Sequence, residues 1–302
     1  MNRRTFLAGS AAVPAITSVN PFMAAKPPRR GDPFRLLYAP HFGMFGNHAK
    51  EMEDQLQFAA DEGFRAWEDN GMAGRDEAAQ TRLGKKMEQC SIAMGVFVAH
   101  GDFGKPTFAS GDAAMRDKVL ADLDRACTVA DRVRARWCTV VPGTIDPRQA
   151  DGYQFTNVVD LLKRCCEVIE KRKSELVMVL EPLNFRDHPT LFLTGIPQAF
   201  AVCRAVGSKH CKILDDLYHQ QVTEGNLLPN VDRAFSEIAY FQVGDNPGRC
   251  EPGTGEVNYK NVFRHLHGKG WQGIVGMEHG NSRGSKEGER AVIDAYRAAD
   301  AF

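Results

Sequence analysis

From residue 34 onward, short apolar runs alternate along the chain with longer segments in which apolar residues recur every three to four positions. The short runs are rich in residues that favour β-structure and predict strands, whereas the longer period predicts amphipathic helices. Eight segments of each kind follow one another in strict alternation. The strand segments are FRLLYAP, FRAWED, AMGVFVAH, RWCTVVPG, LVMVLEPLN, CKILDDLYH, AYFQVGD and GIVGMEHG.

This alternation predicts a parallel sheet covered by helices, because strands as apolar as these are buried on both faces. Eight strand–helix units in about 270 residues correspond to an α/β fold of the (β/α)8 or TIM barrel type. The alternative is a doubly wound open sheet, which favours a glycine-rich phosphate-binding turn after its first strand. The sequence there is YAPHFGMFG, which lacks the GxGxxG spacing. We therefore predict one TIM barrel over residues 31–302.

The first 30 residues have a different composition from the predicted barrel. Positions 3–7 read RRTFL and precede a small, mildly apolar run, which is the order found in a twin-arginine export signal. The apolar run is too short and too rich in Ala and Ser to predict a membrane span. An ordinary N-terminal extension that happens to carry two arginines is the alternative. We predict that residues 1–30 are a signal peptide and linker, and that the protein is periplasmic.

Charge and cysteine content narrow the classes of partner. The 302 residues include 38 basic and 38 acidic side chains, so the formal net charge is zero. A neutral chain lacks the electrostatic footprint of a protein that binds nucleic acid or an anionic membrane, and we expect a small-molecule partner. The eight cysteines include no CxxC pair, so a cysteine metal site is not indicated. Disulfides and a homo-oligomer both remain open.

Polar side chains follow the last four predicted strands at the point where each strand ends. In a TIM barrel this end carries the active site. A buried carboxylate is unfavourable unless it is paired or bound to a cation. Any single residue could be a strand end that meets solvent, but four consecutive strands indicate one site. Its oxygen ligands favour Mg²⁺ or Mn²⁺ over Zn²⁺ or Cu²⁺. These residues are Glu181, Asp215, Asp216, Gln242 and Glu278.

The stretches EPLN, DLYH and PGRCEPGTGEVNY resemble signature stretches of the hydroxypyruvate isomerase family, within the xylose-isomerase-like TIM barrels. The resemblance covers about residues 176 to 280. It implies four metal ligands, and it implies that Glu181 and Glu278 also act as the acid–base pair. The implied ligands are Glu181, Asp216, Gln242 and Glu278.

The same resemblance implies that His219 and Arg249 contact substrate oxygens, with Arg249 paired to a substrate carboxylate. It assigns Glu251 and Glu256 to loop structure. The first two strands and the Glu-His-Gly end of the eighth depart from the family pattern. Because these strand ends shape the substrate pocket, the substrate is left open. Further candidates for substrate contact at the ends of the first three strands are His41, Glu68, Asp69 and His100.

Together these features predict a metal-dependent sugar or keto-acid isomerase that moves a proton between adjacent carbons through an enediolate. Two glutamates on different strands supply the acid and the base, and the metal stabilises the oxyanion. One alternative is a metal-dependent epimerase, lyase or hydratase acting on a sugar or an oxidised sugar. Another is a periplasmic binding protein without turnover. Endonuclease activity is disfavoured by the zero net charge.

Overall fold

Nine short parallel strands surround a central axis in residues 31–302, the part of the chain that the computed structural model describes. The predicted export signal in residues 1–30 lies outside the described residues. The strands are β1 Leu37–Ala39, β2 Ala66–Trp67, β3 Ala93–Met94, β4 Val98–Gly101, β5 Trp137–Val141, β6 Val177–Leu180, β7 Cys211–Asp216, β8 Ile238–Gln242 and β9 Ile274–Gly276.

The strands close into a barrel. Seven of them form one parallel sheet in the order β1-β9-β8-β7-β6-β5-β4, and β2 pairs with β3. The Glu68 N–H donates to the Pro40 carbonyl at 2.9 Å, which joins β2 to β1. The Thr139 N–H donates to the Phe97 carbonyl at 2.8 Å, which joins the other edge to β5. The third predicted strand is divided into β3 and β4, so the eight predicted strands are present and the predicted TIM barrel is confirmed.

Helices cover the outside of the barrel and alternate with the strands. The eight predicted helices correspond to α1–α5 and α7–α9, and α6 is an additional short helix directly after β7. The helices are α1 Met52–Asp61, α2 Glu77–Gln89, α3 Ala113–Val133, α4 Asp151–Lys171, α5 Ile196–Val206, α6 Leu217–Thr223, α7 Leu227–Ala234, α8 Tyr259–Gly268 and α9 Lys286–Asp300.

The segment CKILDDLYH is predicted as a single strand, and this prediction is wrong at its end. The strand ends at Asp216, whose carboxylate accepts the Tyr218 N–H at 2.9 Å. A side-chain acceptor of this kind caps a helix N-terminus, so the chain turns into α6 at Leu217. His219 therefore lies in the first turn of a helix rather than on a strand.

Apolar side chains fill the lower part of the barrel interior. Six of the nine strands contribute to this inward-facing cluster, and Val96 joins it from between β3 and β4. Met178 and Leu180, at the alternate positions of β6, belong instead to the larger cluster between the barrel and the helices. The inward-facing cluster consists of Ala39, Ala66, Val96, Val177, Val179, Leu214, Tyr240 and Ile274.

Two further features of residues 31–302 bear on the sequence predictions. None of the helices in this range has the length and hydropathy needed to cross a membrane. All eight cysteines lie in this range with free thiols, and six of them are buried. The cysteines thus behave as small core residues.

Candidate active site

A layer of acidic and amide side chains lies directly above the apolar interior. Side chains alternate along a strand, so the residue two positions after an inward-facing residue also faces inward. Ala66, Val179, Leu214 and Tyr240 belong to the inward-facing cluster. The residues two positions later are all buried, and they are Glu68, Glu181, Asp216 and Gln242. Glu278, which is half-buried, follows β9 at the same end of the barrel.

Two acids of this layer and the neighbouring His219 lie close together. One potential ligand atom from each of Glu181, Asp216 and His219 lies within 4.8 Å of the others. The His219 Nε2 is 3.5 Å from Asp216 Oδ2 and 3.9 Å from Glu181 Oε1. Asp216 is also the register partner of Gln242 on the neighbouring strand. Consecutive strand ends therefore bring their polar groups to one point.

Arg249 joins the acids of β7 and β9. Its Nη2 lies 2.8 Å from Asp216 Oδ2 and 2.9 Å from Glu278 Oε2. Its Nε donates to the Glu278 carbonyl at 3.1 Å, and its guanidinium carbon lies 4.8 Å from the centroid of the Tyr218 ring. The residue predicted to hold a substrate carboxylate is thus already in contact with two predicted metal ligands.

The polar loop after β8 is folded around a buried carboxylate. Asp245 accepts the N–H groups of Asn246 at 2.9 Å, Gly253 at 2.8 Å and Val257 at 3.1 Å. Glu251 accepts hydrogen bonds from the Ser282 N–H and hydroxyl groups. Hydrogen bonds to charged groups are stronger than neutral ones, so these contacts fix the path of the loop that carries Arg249.

The hydrogen bonds of His219 determine its tautomer. Its Nδ1 faces the Asn184 N–H at 3.2 Å and the Asn184 Nδ2 at 2.7 Å. The Asn184 Oδ1 accepts the N–H groups of Arg186 and Asp187, which fixes the amide orientation. Nδ1 is therefore an acceptor, and burial lowers the pKa of His219 to about 4. The neutral ring carries its proton on Nε2, which suits a bond to a substrate oxygen better than metal ligation.

Gln242 presents a buried oxygen to the same space. Its Nε2 donates to Glu68 Oε1 at 2.7 Å, whereas its Oε1 has no hydrogen-bond partner among the described residues. A buried polar atom without a partner is unfavourable and calls for an explanation. A cation bound between Gln242, Asp216 and Glu181 would satisfy this oxygen.

The charge balance of the layer also favours a cation. Glu68, Glu181, Asp216 and Glu278 are four acids, and within residues 31–302 Arg249 is the guanidinium paired with two of them, Asp216 and Glu278. Burial, together with the charges of Glu278 and Asp216, holds the pKa of Glu181 well above its usual range. Burial and the charge of Asp216 raise the pKa of Glu278 to about 7, against the opposing effect of Arg249. A divalent cation favours the ionised form of such groups, so the residues fit a metal centre.

The two histidines predicted at the ends of early strands have different environments. His41 lines a cleft of about 300 Å³ beside Glu68, Asn70, Arg75 and Glu278. Its ring nitrogens lie near the carbonyls of Phe42 and His279. It is therefore close enough to the acids to contact a substrate in the cleft.

His100 lies outside that cleft and is fully enclosed. Its Nδ1 lies 2.8 Å from Asp122 Oδ2, and its Nε2 lies 3.3 Å from Thr107 Oγ1. Both ring nitrogens are thus used by protein groups. This geometry gives no support to a substrate contact by His100, which stays a prediction.

Two asparagines of the site could not be identified from the sequence periodicity. Asn70 donates to Glu278 Oε1 at 2.9 Å, and Asn184 orients His219 as described above. Asn184 is part of the quoted EPLN stretch, but its role depends on a helix that the strand pattern does not predict. Asn70 follows β2 and is separated from Glu278 by 208 positions.

Residues 56–299 match the xylose isomerase-like TIM barrel family. Hydroxypyruvate isomerase of Escherichia coli is 37% identical over 125 residues, which are 41% of this chain and 48% of the relative. The 2-oxo-tetronate isomerase of Cupriavidus necator is 26% identical over 252 residues, 81% of this chain and 92% of the relative. The first match spans about half of the relative and the second nearly all of it. Both relatives are named as isomerases, in agreement with the isomerase prediction.

Solved structures resemble the chain over most of its length. An AP endonuclease of family 2 from Brucella melitensis has a TM-score of 0.72 at 22% identity, covering 85% of this chain and 97% of that one. The IOLI protein with a bound zinc atom has a TM-score of 0.70 at 12% identity, covering 87% and 98%. At these identities the likeness shows the barrel fold alone.

Proposed function

We propose that this chain, which belongs to the xylose isomerase-like TIM barrel family, is a metal-dependent isomerase of a sugar or a keto acid. The observation that carries the proposal is the buried layer of oxygen groups at consecutive strand ends, with the Gln242 Oε1 left without a partner. The names of the two isomerase relatives support a keto acid that carries a hydroxyl group beside its carbonyl.

Glu181, Asp216, Gln242 and Glu278 would hold the cation, with Mg²⁺ or Mn²⁺ favoured by their oxygen atoms. When bound, a divalent cation supplies Lewis-acid stabilisation for the negative charge that develops on substrate oxygen. His219 stays outside this ligand set, because its protonated Nε2 is a donor. It would instead donate a hydrogen bond to a substrate oxygen near Asp216 and Glu181.

Glu181 and Glu278 would transfer the proton. They follow β6 and β9 and so approach the centre from different sides of the barrel. One carboxylate would remove the proton from the carbon that bears the hydroxyl group, which gives an enediolate. The other carboxyl would deliver a proton to the neighbouring carbon, while the hydroxyl proton passes to the former carbonyl oxygen. The carbonyl and hydroxyl groups thus exchange positions, and the product is an isomer of the substrate. Positioned acids and bases contribute about 10² to 10⁴ in rate.

Arg249 would bind a substrate carboxylate. Its guanidinium presents five N–H donors, and its Nε and Nη2 bond to Glu278 and Asp216. Among the described residues its Nη1 has no hydrogen-bond partner, which leaves this nitrogen for the substrate. A carboxylate bound there would lie next to the acids that would move the proton.

The experiment is a turnover assay of metal-stripped protein after addition of Mn²⁺ or Mg²⁺. Hydroxypyruvate, 2-oxo-tetronate and a panel of free and oxidised sugars are incubated in D₂O and analysed by NMR and mass spectrometry. An isomerase gives a product of unchanged composition with deuterium at the exchanging carbon, and only when metal is present. Loss of water, cleavage or inversion at one carbon would assign a hydratase, a lyase or an epimerase. Binding without any product would leave a binding protein.

We also propose that the protein is exported to the periplasm by the twin-arginine route. The support is the order of RRTFL and the small apolar run at the start of the chain. Mass spectrometry of protein recovered from its native host should give a mature chain that begins between about residues 15 and 30. An intact N-terminus in a cytoplasmic fraction would exclude this route.

A further inference from the structure

Glu68 extends from the end of β2 to the predicted ligand on β8. The two residues are 174 positions apart in the sequence, and the Gln242 Nε2 donates to Glu68 Oε1 at 2.7 Å. Both side chains are buried, with relative exposures of 2% for Glu68 and 1% for Gln242. Glu68 itself belongs neither to the ligand set nor to the acid–base pair of the proposed function.

Two glycines make the space for the Glu68 carboxyl. A Cβ added at Gly276 would lie 2.4 Å from both carboxyl oxygens of Glu68. A Cβ added at Gly95 would lie 3.2 Å from Glu68 Cγ and 2.3 Å from the Tyr240 hydroxyl oxygen. Since contacts under 3.0 Å require atoms to shift, a Cβ at position 276 would displace the Glu68 carboxyl, whereas a Cβ at position 95 would displace mainly the Tyr240 hydroxyl and press more weakly on Glu68. The barrel wall is therefore shaped around Glu68.

The function of this contact follows from the chemistry of an amide. A glutamine side chain has an oxygen that can bind a cation and, on the same carbon, an NH₂ group that cannot. The two ends have nearly the same shape, so packing alone does not select between them. An acceptor on one side of the amide holds the NH₂ group there and turns the oxygen to the other side.

We propose that Glu68 is a positioning residue that orients Gln242, so that the amide oxygen faces the cation bound by Glu181, Asp216 and Glu278. The proposal rests on the metal centre of the proposed function. It deepens that function by adding a residue on β2, Glu68, that does not bind the cation and holds one of its ligands in position. Such partners fix the orientation of metal ligands, and their loss typically weakens metal binding about 10- to 100-fold.

The test measures Mn²⁺ binding to the metal-stripped full-length protein by titration calorimetry, with no substrate present. Glu68→Met removes the acceptor and keeps an unbranched chain of similar length, and we expect about 10- to 100-fold weaker binding. Glu68→Gln keeps an acceptor oxygen in the same place and is the matched control, for which we expect less than the tenfold loss. Equal losses in the two variants would overturn the proposal, because charge rather than orientation would then account for the effect.

Mn²⁺ binding to two further proteins, Glu181→Gln and the wild type, distinguishes failure of this proposal from failure of the proposed function. Glu181→Gln should weaken Mn²⁺ binding whether or not Glu68 orients anything. If Glu181→Gln does so and Glu68→Met binds like the wild type, the positioning role is wrong and the metal centre stands. If the wild type binds no Mn²⁺, the metal centre and the positioning role are both wrong.

A double-variant cycle covers the case in which Glu68→Met alone fails to fold. In a Gln242→Ala background the group to be oriented is gone, so Glu68→Ala should cause no further loss of Mn²⁺ affinity. Coupled residues show this non-additivity, whereas independent residues do not. A full additional loss would overturn the proposal. Thermal unfolding of each metal-free variant confirms that the compared proteins are folded.

Discussion

The end of the barrel at which the strands finish, here called the rim, has two halves that differ in how their acidic side chains are paired. Around strands β1 to β5, the acids Asp69, Asp122 and Asp146 are each paired with a nearby cation, and Glu68, which extends from β2 toward Gln242, is the exception. Around β6 to β9, Arg249 is the arginine or lysine paired with Asp216 and Glu278 among the described residues, and Glu181 lies close to them. Most of the charge in the first half is thus neutralised by neighbouring side chains, whereas the second half carries more acids than cations. The pairs of the first half are Asp69 with Arg75, Asp122 with Lys118 and Arg125, and Asp146 with Arg148.

The pKa values of the carboxyl groups follow the same division, apart from Glu68, whose pKa is raised by burial and by the charge of Glu278. Hydrogen bonds from Arg148 and Gln149 lower the pKa of Asp146. Burial alone would raise the pKa of Asp122, but hydrogen bonds from His100 and Lys118 hold it below its usual range. Burial and neighbouring acids raise the pKa of Glu181 and Glu278. Raised carboxyl pKa values mark groups suited to proton transfer or cation binding.

The largest expected effect is on kcat, when an acid of the second half is neutralised and compared with the same change in the first half. Glu181→Gln or Glu278→Gln should lower kcat at least about 10²-fold, because each removes a group proposed to move a proton in the transition state. Asp146→Asn is the matched change in the first half, and its kcat should stay close to that of the wild type. Steady-state kinetics with saturating Mn²⁺ measure all three. A near wild-type kcat in either Glu variant would remove the proton-transfer role and favour the lyase or binding-protein alternatives.

Replacement of Arg249, whose charge Asp216 and Glu278 share, should have the next largest effect. Arg249→Met leaves Asp216 and Glu278 without their partner. Breaking a buried pair costs about 3–5 kcal/mol, and the partial exposure of Arg249 reduces this to roughly 1–2 kcal/mol in the free energy of unfolding of metal-free protein. Mn²⁺ should restore much of the loss. For a keto-acid substrate KM should rise more than kcat falls, because the bond to the carboxylate does not change during the reaction.

Arg148→Met supplies the control from the first half of the rim. The Arg148 side chain is 80% exposed, and an exposed ion pair contributes about 0–1 kcal/mol. Denaturant titrations of both variants, with and without Mn²⁺, give the comparison. If Mn²⁺ stabilises neither variant, the acids of the second half do not form a cation site. If it stabilises both equally, bound Mn²⁺ does not replace the charge of Arg249.

Much of the fold could be predicted from the sequence, because the evidence for it is local. Apolar runs of strand length alternate with helical periods, and the two-residue step from Leu214 to Asp216 or from Tyr240 to Gln242 locates the acids on the inward face. The division of β3 from β4 and the helix α6 were not predicted. In the DDLYH segment, the strand pattern continues past Asp216, and only the cap formed by its carboxylate ends the strand.

The contacts within the site could not be predicted, since they join distant parts of the chain. The bond between Gln242 and Glu68 and the bond between Asn70 and Glu278 each connect residues more than a hundred positions apart. Glu68 could be identified as a polar residue at a strand end. Its orientation toward Gln242 depends on glycines in neighbouring segments of the barrel, and the sequence of β2 does not predict where those glycines lie.

The pH dependence of Mn²⁺ binding tests whether the acids of the second half bind the cation. The pKa of Glu278 is about 7 without metal, so its carboxyl is protonated below that pH and must lose the proton to bind a cation. Mn²⁺ affinity should therefore fall as the pH drops below 7, by about tenfold per unit for this proton. Glu181, whose pKa is also raised, must lose its own proton and adds to the dependence. Calorimetry between pH 5.5 and 8.5 measures the slope. In Glu278→Gln the slope should decrease by the contribution of one proton.

The smallest expected effects compare two histidines that the sequence treats alike. His219 follows β7 and His100 lies in β4, and both are predicted to contact substrate. Of the two, His219 has a ring nitrogen near the acids without a hydrogen-bond partner among the described residues. His219→Gln should lower kcat/KM by about 5- to 10-fold, the value of one hydrogen bond of roughly 1–1.5 kcal/mol. His100→Gln should instead lower the free energy of unfolding by about 1–3 kcal/mol, because it disturbs the buried bonds to Asp122 and Thr107.

The kinetic parameters of the folded His100→Gln protein decide between its two roles. If His100 is structural, kcat and KM stay near the wild-type values while the melting temperature falls. If it contacts the substrate, KM rises even at temperatures where the variant is fully folded, and the first half of the rim then takes part in substrate binding. His219→Gln should show the reverse pattern, with lower kcat/KM and a smaller change in melting temperature. A large loss of stability in His219→Gln with unchanged kcat/KM would mean that the Asn184 contact serves the fold alone.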